Sequence, residues 1–156
     1  MFNERRGRVS FRLNDGETAL IRKLVQEYQA LLDEPTPGDP VLERLFPSAN
    51  EQDPEVASTF RDLTFEDLDA QKRRNAEIVG ATVAVDGPAQ GVLTDEQSDA
   101  WVTLLTDLRL SLGTRIGVTE EMLEQSFDPE DPEQWSLALL HYLGALQESL
   151  VAALSG

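Results

Sequence analysis

Four side chains stand where an apolar pattern would not place them: Lys72, Asp107, Arg109 and Arg115. Lys72 falls between Leu68 and Ala76 on a helical stripe that also holds Phe65, Val79 and Val83. A lysine in that slot either snorkels along the edge of the core or pairs with a carboxylate inside it. Asp107 lies beside the stripe that contains Trp101 and Leu104, so a half-buried carboxylate there needs a cation, which Lys72 or an arginine could supply. Two readings follow for the four residues: an ion pair that locks helix packing, or a charge cluster that binds a partner.

Other chemistries have little to stand on. His141 is the single histidine, and its helical neighbours Leu137, Ala138, Gly144 and Ala145 cannot ligate a metal. No cysteine is present, which removes disulfides, thiolate ligands, thiol nucleophiles and cysteine redox sensing by this chain alone. No G-x-S-x-G elbow precedes the histidine, and GPAQG lacks the lysine and the spacing of a phosphate loop. Carboxylate pairs are so abundant that any one of them points only weakly to acid–base catalysis. No catalytic, cofactor-binding or metal-ligating residue is therefore expected, and the chain reads as a protein without enzymatic activity or cofactor.

The 156 residues suit a single domain with one core, in which residues 34–55 form an irregular, proline-rich acidic link. Net charge is −16 and unevenly distributed: residues 33–70 carry −9, residues 119–134 carry −7, and the remainder balances. Arg5, Arg6, Arg8 and Arg12 make the N-terminus locally basic, and Lys72, Arg73 and Arg74 form a second basic cluster. Acidic belts keep a protein soluble or attract a basic protein partner. Direct DNA binding is disfavoured, although an arginine-rich arm can act locally. No uninterrupted apolar run approaches a membrane span and no apolar leader follows Met1, so a cytoplasmic location without membrane attachment is expected.

The elements that must position these residues follow from periodicity. Val9, Phe11 and Leu13 alternate with Arg8, Ser10 and Arg12, the pattern of a short half-buried strand with an arginine-rich outer face. Asn14 can cap a helix whose stripe is Leu20, Leu24, Tyr28 and Leu31, joined by Ile21 and Leu32. Asp39-Pro40 and Asp53-Pro54 each predict the start of a short helix, and Thr64 with Asp67 predicts a longer one through about Val83. Residues 82–85 either finish that helix or form a strand, with Gly91-Val92-Leu93 completing a small hairpin. Thr94 with Gln97 is a capping box for the central helix, Trp101 to Val118, a rod of roughly 27 Å at 1.5 Å per residue. Its apolar face is Trp101, Leu104, Leu105, Leu108, Leu112 and Ile116; Gly117 is expected to end it and Gly113 to mark a close helix contact. The unit of apolar strand, polar cap, acid and amphipathic helix thus occurs twice. Thr119 predicts a short acidic helix, and Asp131-Pro132 the last one. That helix has a broad apolar face built on Trp135, Leu139, Tyr142, Leu143, Leu146 and Leu150, which is either buried within the monomer or serves a partner or a homodimer seam. The predicted fold is mainly α, a helical bundle-like single domain with minor β content.

Four stretches carry a family resemblance: RLFPSA at 44–49, FRDLTFEDLDAQKRRNAEIV at 60–79, WVTLLTDLRLSLGTRIGV at 101–118 and QESLVAAL at 147–154. Their order and spacing resemble the actinobacterial AosR-like family of oxidative-stress regulators, with DLRLSLGTRIG the most specific piece. The resemblance implies a cytoplasmic transcription regulator that contacts a stress sigma factor or RNA polymerase. It also implies proximity to Clp proteolysis, so that a structural or adaptor role linked to Clp is the alternative. A small carboxylate-dependent hydrolase ranks last. The redox-active cysteine pair of that family's regulator is absent here, so disulfide-triggered binding does not transfer.

Overall fold

The alternating N-terminal residues form a hairpin, not the lone strand expected. β1 (Phe2–Arg5) and β2 (Arg8–Leu13) pair antiparallel through an Arg6-Gly7 turn. Both turn residues have positive φ, 54° and 78°, the two-residue geometry whose twist matches that of the strands. The computed structural model describes residues 1–47, 54–117, 130–131 and 134–156, with side chains in the third helix described from residue 65 onward.

Asn14 then closes a reciprocal capping box with Glu17 and starts α1 (Asp15–Asp33). Its buried line is Ile21, Val25, Tyr28 and Leu32; Leu20, Leu24 and Leu31, placed in the stripe by sequence, are half-buried flanks. Asp39 caps α2 (Pro40–Leu45), accepting a bond from the Val41 amide at 2.9 Å. One continuous helix, α3 (Pro54–Thr82), replaces the two expected. Thr64 lies inside it, because no glycine or proline between Pro54 and Gly80 interrupts propagation. Phe65, assigned to the buried stripe, is 48% exposed.

Residues after α3 do not fold back as a local hairpin. β3 (Ala89–Leu93) instead pairs antiparallel with β2, giving a three-stranded sheet of order β1-β2-β3. The two strand–cap–helix units seen in the sequence thus meet through their strands, with Phe11 opposite Gly91 at the centre. A Cβ at position 91 would lie 3.2 Å from the Phe11 ring, so glycine lets the strands close over that ring. The long separation between the partners hid this pairing from a local reading.

The capping box of Thr94 and Gln97 starts α4 (Asp95–Ile116), which ends at Gly117 in the left-handed conformation. Trp101, Leu104, Leu105 and Leu108 are buried, while Leu112 and Ile116 are half-buried. Trp101 is fully enclosed: its ring meets Phe2 edge-on at 5.2 Å, and its indole N–H donates to Thr82 Oγ1 at 3.1 Å. Gly113 is not a close contact, since nothing lies within 4 Å of where its Cβ would be. The tight glycine is Gly144, where a Cβ would stand 3.5 Å from the Arg109 guanidinium.

The last helix, α5 (Trp135–Ser155), packs on α4 and on β1. By length and composition it could cross a membrane, which the sequence reading had not anticipated. Polar residues interrupt the run in sequence, but Glu148 is the only formal charge in the helix. Leu143, Leu146 and Leu150 are nonetheless fully buried inside this chain. The predicted cap at Asp53, the acidic helix after Thr119 and the proline start at Pro132 lie outside the described residues. One cluster of buried side chains draws on every described element, and the architecture is mainly helical with a small antiparallel sheet.

Candidate functional site

Three helices converge on Asp107. The Lys72 ammonium approaches Asp107 Oδ2 at 2.7 Å, and the Tyr28 hydroxyl donates to the same oxygen at 2.7 Å. Both members of the ion pair are almost sealed from water, with side chains 7% and 9% exposed. Of the two placements open to Lys72, the structure has the inward pair. α1, α3 and α4 are thereby tied at one point, and the Phe46 ring after α2 lies 5.9 Å from the ammonium. Burial pushes the Tyr28 hydroxyl well above the ordinary tyrosine range, and the adjacent Asp107 charge pushes the same way. Such a site holds a neutral tyrosine donor on a carboxylate that is almost enclosed by packing.

The other two residues of the predicted cluster lie elsewhere on α4. Arg115 pairs with Asp39 at 2.8 Å, so one carboxylate both caps α2 and anchors the end of α4. The Arg115 guanidinium, with the Val41 amide, holds Asp39 below the usual carboxylate range. Arg109 donates to Gln147 of α5 at 2.7 Å. It borders a groove of about 800 Å³ between α4 and α5, to which Arg44, Gly113, His141 and Glu148 also contribute. Glu148 is the single acid among the described lining residues. Among the described residues there is also no group of three or more potential metal ligands from His, Cys, Asp and Glu.

The predicted partner face of α5 divides. Leu143, Leu146 and Leu150 point into the protein and cannot form a seam, a correction imposed by their packing on α4 and the sheet. Leu139 and Tyr142 are half-buried, and Trp135 is 61% exposed. Tyr142 donates to Glu17 at 2.6 Å. Burial raises the Glu17 carboxyl, but this bond and the Asn14 amide outweigh it and leave Glu17 below its ordinary value.

Sequence reasoning missed Tyr28, Asp39 and Gln147. Tyr28 was absorbed into an apolar stripe, although a buried hydroxyl always asks for a partner. Asp39 was read only as a cap. The basic cluster at 72–74 is also corrected. Successive helical residues point about 100° apart, so the three side chains reach different acids, four in all. Lys72 takes Asp107, Arg73 takes Asp69 and Asp33, and Arg74 takes Glu96.

No curated protein and no solved structure matches the chain. A family model described as a domain of unknown function, DUF2017, matches residues 1–154, and the chain therefore belongs to the DUF2017 family.

Proposed function

We infer that this protein is a non-enzymatic cytoplasmic regulator that acts by binding a basic protein of the transcription machinery, a sigma factor or an RNA polymerase subunit. The observation that carries this reading is the contrast between the protein's interior and its charge distribution. The buried polar residues Lys72, Asp107 and Tyr28 neutralise one another and hold helices together, whereas the −16 net charge is concentrated in two stretches of sequence. Segregated charge of one sign steers and selects partners of the other. The resemblance of DLRLSLGTRIG and its flanking stretches to AosR-like regulators supports the same class of partner. Trp135, which is exposed, would contribute an apolar contact on the α4–α5 side.

Capture of RNA polymerase components on the immobilised protein at low and high salt tests it. A sigma factor or core subunit retained at low salt and released at high salt is the expected result. Recovery of Clp components in their place would transfer the protein to an adaptor role, and no salt-sensitive partner would remove the reading.

A further inference from the structure

We propose that the solvent face of the three-stranded sheet is a docking surface for an acidic segment of a partner protein, with an apolar residue of that segment seated against Val92. The side chains of β2 alternate, so Val9, Phe11 and Leu13 enter the core while Arg8, Ser10 and Arg12 face water. The register adds Arg5 opposite Arg8, and Arg6 sits at the exposed turn. The described ion pairs engage Arg22, Lys23, Lys72, Arg73, Arg74 and Arg115, and none includes a hairpin arginine. In a chain with 29 acids and 13 bases, neighbouring carboxylates would be expected to absorb them.

The Arg5–Arg8 pairing is a second observation. Like charges directly opposite each other across strands are destabilising, so this arrangement costs the hairpin stability. The cost is offset when a polyanionic partner occupies the face. A third observation is the middle of the face, where Val92 stands opposite Ser10 and is 55% exposed. Cations framing one exposed apolar side chain suit a protein segment that mixes carboxylates with a branched aliphatic anchor.

Nucleic acid fits less well. Its single strands need aromatic platforms, and both phenylalanines of the hairpin, Phe2 and Phe11, are buried on the opposite face. A duplex is long enough to meet the acidic remainder of a −16 protein, whereas a short peptide feels only charges within about 8 Å at physiological salt. These arginines are distinct in sequence from the two acidic stretches and call for a partner of the opposite charge, so the two readings stand or fall independently.

Fluorescence anisotropy with a short fluorescein-labelled peptide of glutamates and leucines tests the proposal on the full chain. Binding is expected to weaken with salt, to fall about tenfold or more in Arg8→Glu/Arg12→Glu, and to persist in Lys23→Glu on α1. Val92→Ser leaves every charge in place and keeps the assay decisive if the double reversal fails to fold. It is expected to weaken the leucine-containing peptide but not one with serine in place of leucine. Equal binding by the wild type and both variants would overturn the proposal. So would tighter binding of a labelled oligothymidylate of the same length, or sedimentation showing that the same arginines instead join two copies of this chain.

Discussion

Residues 72–74 and the N-terminal hairpin carry similar clusters of positive charge in sequence, yet the fold treats them in opposite ways. On α3 each base is turned toward a different acid, and one of them is taken inside the protein. On the sheet the arginines share one face, two of them opposite each other, without an ion pair among those described. Helical rotation disperses consecutive charges, whereas strand alternation gathers every second one. The same residue type therefore builds a packing lock in one place and a charged surface in the other. Removing charge should destabilise the first region and stabilise the second.

The largest effect is expected at the lock. Asp107→Ala strands a buried ammonium and a buried hydroxyl, and should cost about 3–5 kcal/mol in urea unfolding. The triple change Tyr28→Phe/Lys72→Met/Asp107→Leu removes the whole polar group and should cost markedly less than Asp107→Ala alone. If the triple variant is the less stable, the charges do more than neutralise one another. Tyr28→Phe removes one bond to a charged acceptor and should cost about 2 kcal/mol by the same measurement.

The tyrosines allow a test by pH. Both Tyr28 and Tyr142 are held above the ordinary value near 10, each first by burial and then by a neighbouring carboxylate. A raised folded-state value contributes stability that is fully present below about pH 10 and is lost as pH climbs toward the folded values. The tyrosinate absorbance should therefore rise only together with loss of the folded circular dichroism. A tyrosine that ionises normally near pH 10 in the folded protein would contradict the enclosed geometry. On the acid side, Glu17 and Asp39 are lowered, so their contribution is present at neutral pH and is lost as pH falls through their folded values. Arg115→Ala should therefore lower stability at pH 7, with the difference from the wild type shrinking as pH falls and Asp39 takes up its proton.

The smallest effect, and one of opposite sign, is expected at the hairpin. Arg5→Glu replaces a like-charge pair by an attractive one and should raise stability by about 0.2–1 kcal/mol, read as a higher urea midpoint. A loss of stability would mean that Arg5 has a structural role on its own strand.

Much of this architecture was legible because it is local. Asn14 with Glu17 and Thr94 with Gln97 are reciprocal caps within four residues, and Gly117 ends α4 by its own conformational freedom. Lys72 and Asp107 announced themselves by interrupting apolar stripes. What escaped depends on distant partners. β1 has one buried residue, Phe2, so alternation could not reveal it; β3 finds its neighbour in β2 instead of in the chain just before it. Tyr28 resembled any aromatic core residue until its hydroxyl was located on Asp107. The close contact expected at Gly113 falls at Gly144 because helix spacing fixes a glycine's face but not what the facing helix brings to it.

The seam between β1 and α5 has a consequence for how the protein is made. The Phe2 amide donates to the Ser149 hydroxyl, 147 residues away, and β1 lies against the last helix. At about 5–20 residues per second, the ribosome needs on the order of ten seconds to supply that partner. Until then β1 has only its pairing with β2 and the Phe2 ring contacts to Phe11 and Trp101 to hold it. The arrival of α5 then clasps a strand made long before it.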